Sequence, residues 1–245
     1  KLSRSTSEVC RCFEASGYVW QKMKGSGDAY IYDAVKKGYT SDWKTRIPEN
    51  IAIGLDTTQP KLLERRAKWN DKTPETFALP TEIWRETIAR LKRCDDLMQK
   101  IAAGEICHAN DLITYNLDMR QFAYDLIDQS ASPGFVFEFF EALKKVTILD
   151  PTCGSGAFLF AALNILEPLY EICIERMQDF AKEKSSKDHY LPLIQKELAA
   201  ISDKYRSNIQ YYIYKTIILN NLYGVDIMHE AVEIAKLRLF LKLVA

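Results

Sequence analysis

The chain has 245 residues, of which 47% are hydrophobic and 27% charged, enough apolar material for one large domain or two small ones. Its 33 basic and 33 acidic residues cancel, so the chain as a whole lacks the cationic excess of a nucleic-acid-binding domain. A DNA-binding surface must therefore be local or lie outside these residues. No apolar run reaches membrane-spanning length and no signal segment opens the chain, which predicts a cytoplasmic protein without a membrane partner.

The six cysteines form no Cys-x-x-Cys pair. Cys10 and Cys12 could be grouped with Cys107 and His108 as zinc ligands, but this spacing fits no usual zinc template. We therefore expect free thiols in a reducing cytoplasm and no metal site. The first residue is Lys1 rather than methionine, which predicts that the sequence is a piece of a longer protein.

The first 79 residues give few structural signals. The basic run at 61–72 is better explained as a solvated helix face than as a DNA-contacting patch. Apolar residues then recur at steps of three and four, which predicts an amphipathic helix from Pro80 and Thr81 to a stop at Gly104. Residues 110–129 predict a second helix.

A third helix is predicted from Ser132, which suits the N-cap, and Pro133, which suits the first helical position. A buried strand at 146–150, a glycine-rich turn and a long helix follow, and a second strand is expected at 222–226.

We therefore predict an α/β protein: a mostly helical N-terminal region, 1–130, and the first part of a Rossmann-like sheet, 131–245. The two strands should be parallel neighbours joined by a right-handed helical crossover.

The glycine turn, in "ILDPTCGSGAFLF", could hold a nucleotide phosphate, a dinucleotide or a cationic nucleoside. No lysine follows Gly156, which excludes a P-loop, and Leu159 occupies the place of the third glycine of the dinucleotide fingerprint. Asp150 would repel a pyrophosphate, since two like charges about 4 Å apart cost about 4 kcal/mol at an effective dielectric constant of 20. The same carboxylate attracts an ammonium or sulfonium group. The turn therefore favours S-adenosylmethionine as cofactor.

A second acid, Asp226, ends the second predicted strand in "YGVDIM". A carboxylate in this position can accept hydrogen bonds from both ribose hydroxyls of a nucleoside. The alternative is an N-cap for the last helix, and one residue can also do both. We favour ribose binding over capping alone.

The segments "LDPTCGSGAFL" and "NLYGVDIMHEAVEIAKLRLFLKLV" resemble the adenine-N6 DNA methyltransferases of type IIG restriction–modification and phage-defence proteins, which are class I S-adenosylmethionine-dependent enzymes. The resemblance implies that Asp226 holds the ribose and that Ile227 packs beside the adenine, while Ser155 begins a helix. It also implies that one set of residues lines the methionine part of the cofactor: Asp150, Pro151, Thr152, Cys153, Gly154 and Gly156. Enzymes of this family flip adenine out of the duplex.

The family's catalytic tetrapeptide, a polar residue followed by two prolines and an aromatic residue, is missing, because none of the eight prolines are adjacent. We therefore assign no catalytic residue and expect double-stranded DNA to bind through regions largely outside this chain, with restriction or defence subunits as possible further partners. Two alternatives stay open: a non-catalytic interaction or specificity subunit with a vestigial loop, and a methyltransferase acting on RNA or protein.

Overall fold

The computed structural model describes residues 17–182, 188–205 and 208–244. The chain divides into two compact units, and among the described residues these are 17–121 and 122–244. The division falls within a helix, Met119–Asp128. Each unit has its own buried core.

The described part of the first unit is built from short helices around one long helix. The α-helices are α1 (Tyr18–Gly25), α2 (Asp33–Lys36), α3 (Trp43–Arg46), α4 (Glu49–Ala52), α5 (Leu62–Arg65), α6 (Trp84–Ala103), α7 (Ala109–Thr114) and the start of α8 (Met119–Asp128). Two 3₁₀ turns, at Gly27–Tyr30 and Ala67–Asn70, connect some of them. Three tryptophans, Trp43, Trp69 and Trp84, pack together with aliphatic residues of α4 and α6 in its core.

Helix α6 begins at Trp84 and not near Pro80, so the predicted start is wrong. The reason is tertiary: Ile83 is extended and forms an antiparallel bridge with Lys72, which keeps the residues before Trp84 out of the helix. The predicted end is confirmed, because Gly104 closes the helix with a left-handed φ of 75°.

The single helix predicted over 110–129 is also wrong, since the chain forms α7 and α8 with a break between them. Asn116 lies in the break with a φ of 50°, a left-handed conformation that asparagine tolerates better than most residues.

A buried ion pair also organises this unit: Arg90 Nε donates to Glu82 Oε1 at 2.8 Å, and the two side chains are only 10% and 14% exposed.

The second unit contains the sheet and the remaining helices. Its elements after α8 are α9 (Pro133–Leu143), β1 (Ile148–Asp150), α10 (Ala157–Lys182), α11 (Leu191–Tyr205), α12 (Ile209–Thr216), a π-helical turn (Ile217–Asn221), β2 (Leu222–Gly224) and α13 (His229–Val244). The predicted start of α9 is confirmed, because Ser132 Oγ accepts from the Phe135 amide and Pro133 occupies the first helical position.

The two strands are parallel neighbours, as predicted, but the predicted bounds of 146–150 and 222–226 are too long, because each strand has three residues. Ile148 pairs with Leu222 and Asp150 pairs with Gly224. Helices α10 to α12 form the connection between the strands. On one face of the sheet the side chains of Leu149 and Tyr223 remain 60% and 48% exposed.

Helix α10 forms the centre of this unit and packs against α9, α11 and α12. Pro168 lies inside this helix and does not interrupt it. By length and composition it could cross a membrane, with a mean hydropathy of 1.6 in its most apolar stretch, which departs from the prediction that no stretch reaches that length. Half of that stretch is buried inside the protein, as in the core helix of a globular unit.

Candidate functional site

The glycine turn begins where β1 ends, and backbone hydrogen bonds tie it to the residues that follow β2. The Val225 amide donates to the Asp150 carbonyl at 2.9 Å, and the Cys153 amide donates to the Val225 carbonyl at 2.9 Å. The pairing of the two strands therefore continues past their ends into the two loops. Since both strands are parallel, the loops lie at the same edge of the sheet.

The two glycines of the turn have positive φ values but different surroundings. Gly154 has a φ of 48°, and a Cβ added there would meet no atom within 4 Å. Gly156 has a φ of 78°, and its added Cβ would lie 2.9 Å from the Cβ of Ala235 in α13. Gly156 is thus required for helix packing, whereas Gly154 leaves an open space beside the turn where a ligand could approach the backbone.

The residues at the start of the turn are held by Asp150. Its Oδ1 accepts from the Thr152 amide at 3.1 Å, which makes a local side-chain-to-backbone turn. Pro151 and Thr152 are exposed, and Asp150 is half-buried. The carboxylate therefore shapes the turn and still reaches solvent.

Asp226 joins the two loops. Its Oδ2 accepts from the Gly154 amide at 2.7 Å, and its Oδ1 accepts from the Met228 amide at 2.9 Å. These amides, with that of Met228 as the largest cause, hold the pKa of the Asp226 carboxyl below its usual value of 3.8. Asp226 is thus an anion at neutral pH, and a carboxylate has about four acceptor sites, so it can accept from a further donor besides these amides.

Asp226 is not the N-cap residue of the last helix, α13. Helix α13 begins at His229, so Asp226 lies before the N-cap position. Its carboxylate binds the amide of Met228, which precedes the helix, and not an amide of the first helical turn.

The other predicted residues fall into three environments. Cys153 is buried at 6% exposure, and its Sγ would lie 3.1 Å from a Cβ added at Gly224, so it packs the turn against β2. Ile227 is fully exposed. Ser155 does not begin α10, which starts two residues later; instead, its carbonyl and hydroxyl accept from Arg238 Nη1 at 3.1 and 3.3 Å.

The structure therefore brings most of the predicted residues together at one sheet edge. The sequence did not predict roles for Val225, Met228 and Arg238. Val225 and Met228 contact the site through backbone groups, and Arg238 lies 83 positions after its partner Ser155. Within the part of the chain that the structure describes, no group of three or more His, Cys, Asp or Glu side chains could hold a metal ion. Cys10 and Cys12 lie outside the described residues.

The glycine turn and its two acids lie at the end of a parallel strand pair, and comparisons with known proteins indicate a methyltransferase domain. Residues 127–244 match the family model for the DNA-methyltransferase domain of MmeI. A putative type II restriction enzyme and methyltransferase of Methanocaldococcus jannaschii is 40% identical over 110 residues, which is 43% of this chain. No solved structure matches the chain.

The predicted resemblance to the methyltransferases of type II restriction–modification proteins is thereby confirmed. The chain spans 7% of the length of the curated relative, and the aligned part amounts to one segment of a much longer protein.

Proposed function

We propose that this chain is the cofactor-binding portion of a DNA methyltransferase that transfers a methyl group from S-adenosylmethionine to the amino nitrogen of adenine. The observation that carries the proposal is the bond between the Gly154 amide and the Asp226 carboxylate. It joins the two loops that would enclose the nucleoside.

The charge of the site supports a cationic cofactor. Asp150 and Asp226 bring two carboxylates to one sheet edge, where an anionic pyrophosphate would be repelled and a sulfonium or ammonium group attracted. In this proposal Asp150, Pro151 and Thr152 line the methionine part beside the open space at Gly154. Asp226 accepts from the ribose hydroxyls through its remaining lone pairs.

The surface around the sheet supports a larger, Rossmann-like core. Parallel strands are normally covered on both faces, yet Leu149 and Tyr223 are exposed on the same face. Beside β1, side chains of α10 also line an apolar cavity of about 330 Å³. We propose that residues 131–245 form part of a doubly wound sheet whose remaining strands cover these surfaces, with 1–130 as an accompanying helical region.

The methyl-transfer step needs groups that we do not assign to this chain. In-line positioning of the adenine nitrogen against the methyl group contributes on the order of 7–11 kcal/mol to lowering a barrier of this kind. We expect the family's proline-proline tetrapeptide to supply it from a later segment of the parent protein. That protein would act on double-stranded DNA in the cytoplasm, together with restriction or defence subunits.

Calorimetry with S-adenosylhomocysteine tests cofactor binding by the 245-residue chain. We expect Asp226→Ala to weaken binding about tenfold or more, because a charge-assisted hydrogen bond to the ribose is lost. Asp203→Ala is the matched control, since Asp203 is an exposed acid on α11 of the same unit. Unchanged affinity in Asp226→Ala, or no binding by the unmodified chain, would favour a non-catalytic interaction subunit.

Transfer of labelled methyl groups to adenine-containing duplexes tests whether the catalytic groups lie outside this chain. The chain alone should give no product, whereas a longer form of the parent protein that carries the tetrapeptide should label the amino nitrogen of adenine. Labelling of RNA or protein in place of DNA would assign the parent protein to another methyltransferase class. Robust labelling of DNA by the chain alone would show that it contains its own catalytic groups.

A further inference from the structure

A single buried amide holds the two strands together at the end of the sheet opposite the glycine turn. Asn221 immediately precedes β2 and is fully buried. Its Nδ2 donates to the carbonyl oxygens of Leu143, the last residue of α9, at 2.7 Å and of Val146, in the connection from α9 to β1, at 2.6 Å. Both amide hydrogens of Asn221 therefore fasten the entry of β1 to the entry of β2.

Tyr170 on α10 fixes the orientation of this amide. Its hydroxyl lies 3.0 Å from Asn221 Oδ1 and donates to it. Tyr170 is fully buried, and this burial raises the pKa of its hydroxyl, which stays protonated at neutral pH. The opposite orientation of the amide would set Oδ1 against two carbonyl oxygens. Only the observed orientation satisfies every donor and acceptor in the group.

The short sheet needs such a constraint. Only three residue pairs join β1 to β2, and so few pairs define their own register weakly. A slip of one residue would turn every side chain of the slipped strand to the opposite face of the sheet. It would also move Asp150 away from Gly224, its partner in the other strand. Asn221 blocks this slip at the amino ends of the strands, while the bond from Gly154 to Asp226 joins the loops at the carboxyl ends.

We propose that Asn221 is a positioning residue for the cofactor site. By fixing the register of β1 against β2, it sets the place at which the Gly154 amide meets the Asp226 carboxylate. The π-helical turn that ends at Asn221 fits this role, because such turns often adjust a chain at functional sites. The ligand part of the inference rests on the proposed function, whereas its local geometry can be measured without ligand.

Hydrogen exchange in the ligand-free chain tests the local geometry. Asn221→Leu keeps the approximate size of the side chain and removes both donors. We expect exchange of the Gly154 amide to accelerate about tenfold or more beyond that of the α10 amides. Leu163→Ala is the matched control, because Leu163 is fully buried on α10 and its loss should accelerate both sets by similar factors. Equal acceleration of both sets in Asn221→Leu would overturn the proposal.

Asn221→Asp adds a readout that a purely structural role would not give. At pH 8 its carboxylate would face two carbonyl oxygens without a donor, and affinity for S-adenosylhomocysteine should fall about tenfold or more. Burial raises the pKa of the introduced carboxyl, so protonation on going from pH 8 to pH 5 restores one donor and part of the affinity. The unmodified chain should show no such gain.

The two possible failures are distinguishable. Binding by Asn221→Asp that equals the unmodified chain at every pH would overturn the positioning role and leave the proposed function intact. If the unmodified chain binds no S-adenosylhomocysteine, the proposed function fails, and the hydrogen-exchange comparison alone decides whether Asn221 positions the turn.

Discussion

The two glycines of the turn allow a direct test of the site's geometry by substitution with alanine. Gly156→Ala forces a non-glycine residue to a φ of 78°, which costs about 1–2 kcal/mol. The new Cβ also lies 2.9 Å from the Cβ of Ala235, and relieving that overlap costs about 1–3 kcal/mol more. We therefore expect Gly156→Ala to lower the free energy of unfolding by about 2–5 kcal/mol.

Gly154→Ala is the matched control, because it introduces the same side chain two residues earlier in the same turn. Its φ of 48° carries the left-handed cost, but its Cβ would meet nothing within 4 Å. The loss of stability should be only about 1–2 kcal/mol. Its effect should instead be on affinity for S-adenosylhomocysteine, because the methyl group fills the space through which the ligand approaches.

Urea denaturation followed by circular dichroism measures both variants. All four tryptophans, Trp20, Trp43, Trp69 and Trp84, lie in the first unit, so their emission gives an internal reference for residues 17–121. The double variant Gly156→Ala with Ala235→Gly should recover part of the stability that Gly156→Ala loses, because the overlapping Cβ of residue 235 is removed. The recovery is reduced by about 1 kcal/mol, the cost of a glycine inside a helix. Equal losses in the two single variants, with no recovery in the double variant, would refute the packing argument.

Three further outcomes follow from ionisable groups. Glu82→Gln should lower the free energy of unfolding by about 1.5–3 kcal/mol in a urea melt, because it removes the counter-charge of the largely buried Arg90 guanidinium, whose bonds to three backbone carbonyl oxygens remain. The lowered pKa of Asp226 predicts that S-adenosylhomocysteine affinity is constant from pH 8 to 5 and falls only below about pH 4, as the carboxylate is protonated; a calorimetric loss near pH 6 would contradict this. Burial raises the pKa of the Cys94 thiol to about 11, so mass spectrometry should find iodoacetamide on the half-buried Cys107 well before Cys94.

The parallel pairing of the strands could be predicted from the sequence, because its signals are local. A short β-branched run ending in an acid, a glycine turn and a long helix define one unit, and a second run ending in Asp226 defines the next. The strand ends were less predictable. Each strand is three residues long, shorter than the sequence pattern. Before β1, Val146 bonds to the end of α9 and to Asn221, and after β2 the bonds of Val225 belong to the loops.

The errors arose where tertiary contacts override local preference. The start of α6 depends on an antiparallel bridge between Ile83 and Lys72, which no periodicity reveals. The role of Asn221 depends on carbonyl groups more than 70 positions earlier in the chain. The break at Asn116 had a usable signal, because asparagine between short apolar runs often adopts the left-handed conformation.

The long sequence separation across the sheet has a consequence for the order of folding. Ile148 and Leu222 pair across 74 positions, and the Gly154 amide meets Asp226 across 72. Helices α10, α11 and α12 can begin to form from local contacts, but closing so large a loop costs chain entropy before any strand contact compensates for it. On the ribosome, the site therefore cannot assemble until Asp226 has left the exit tunnel. If the proposed cofactor binds at this site, it can stabilise only chains that have already completed the crossover.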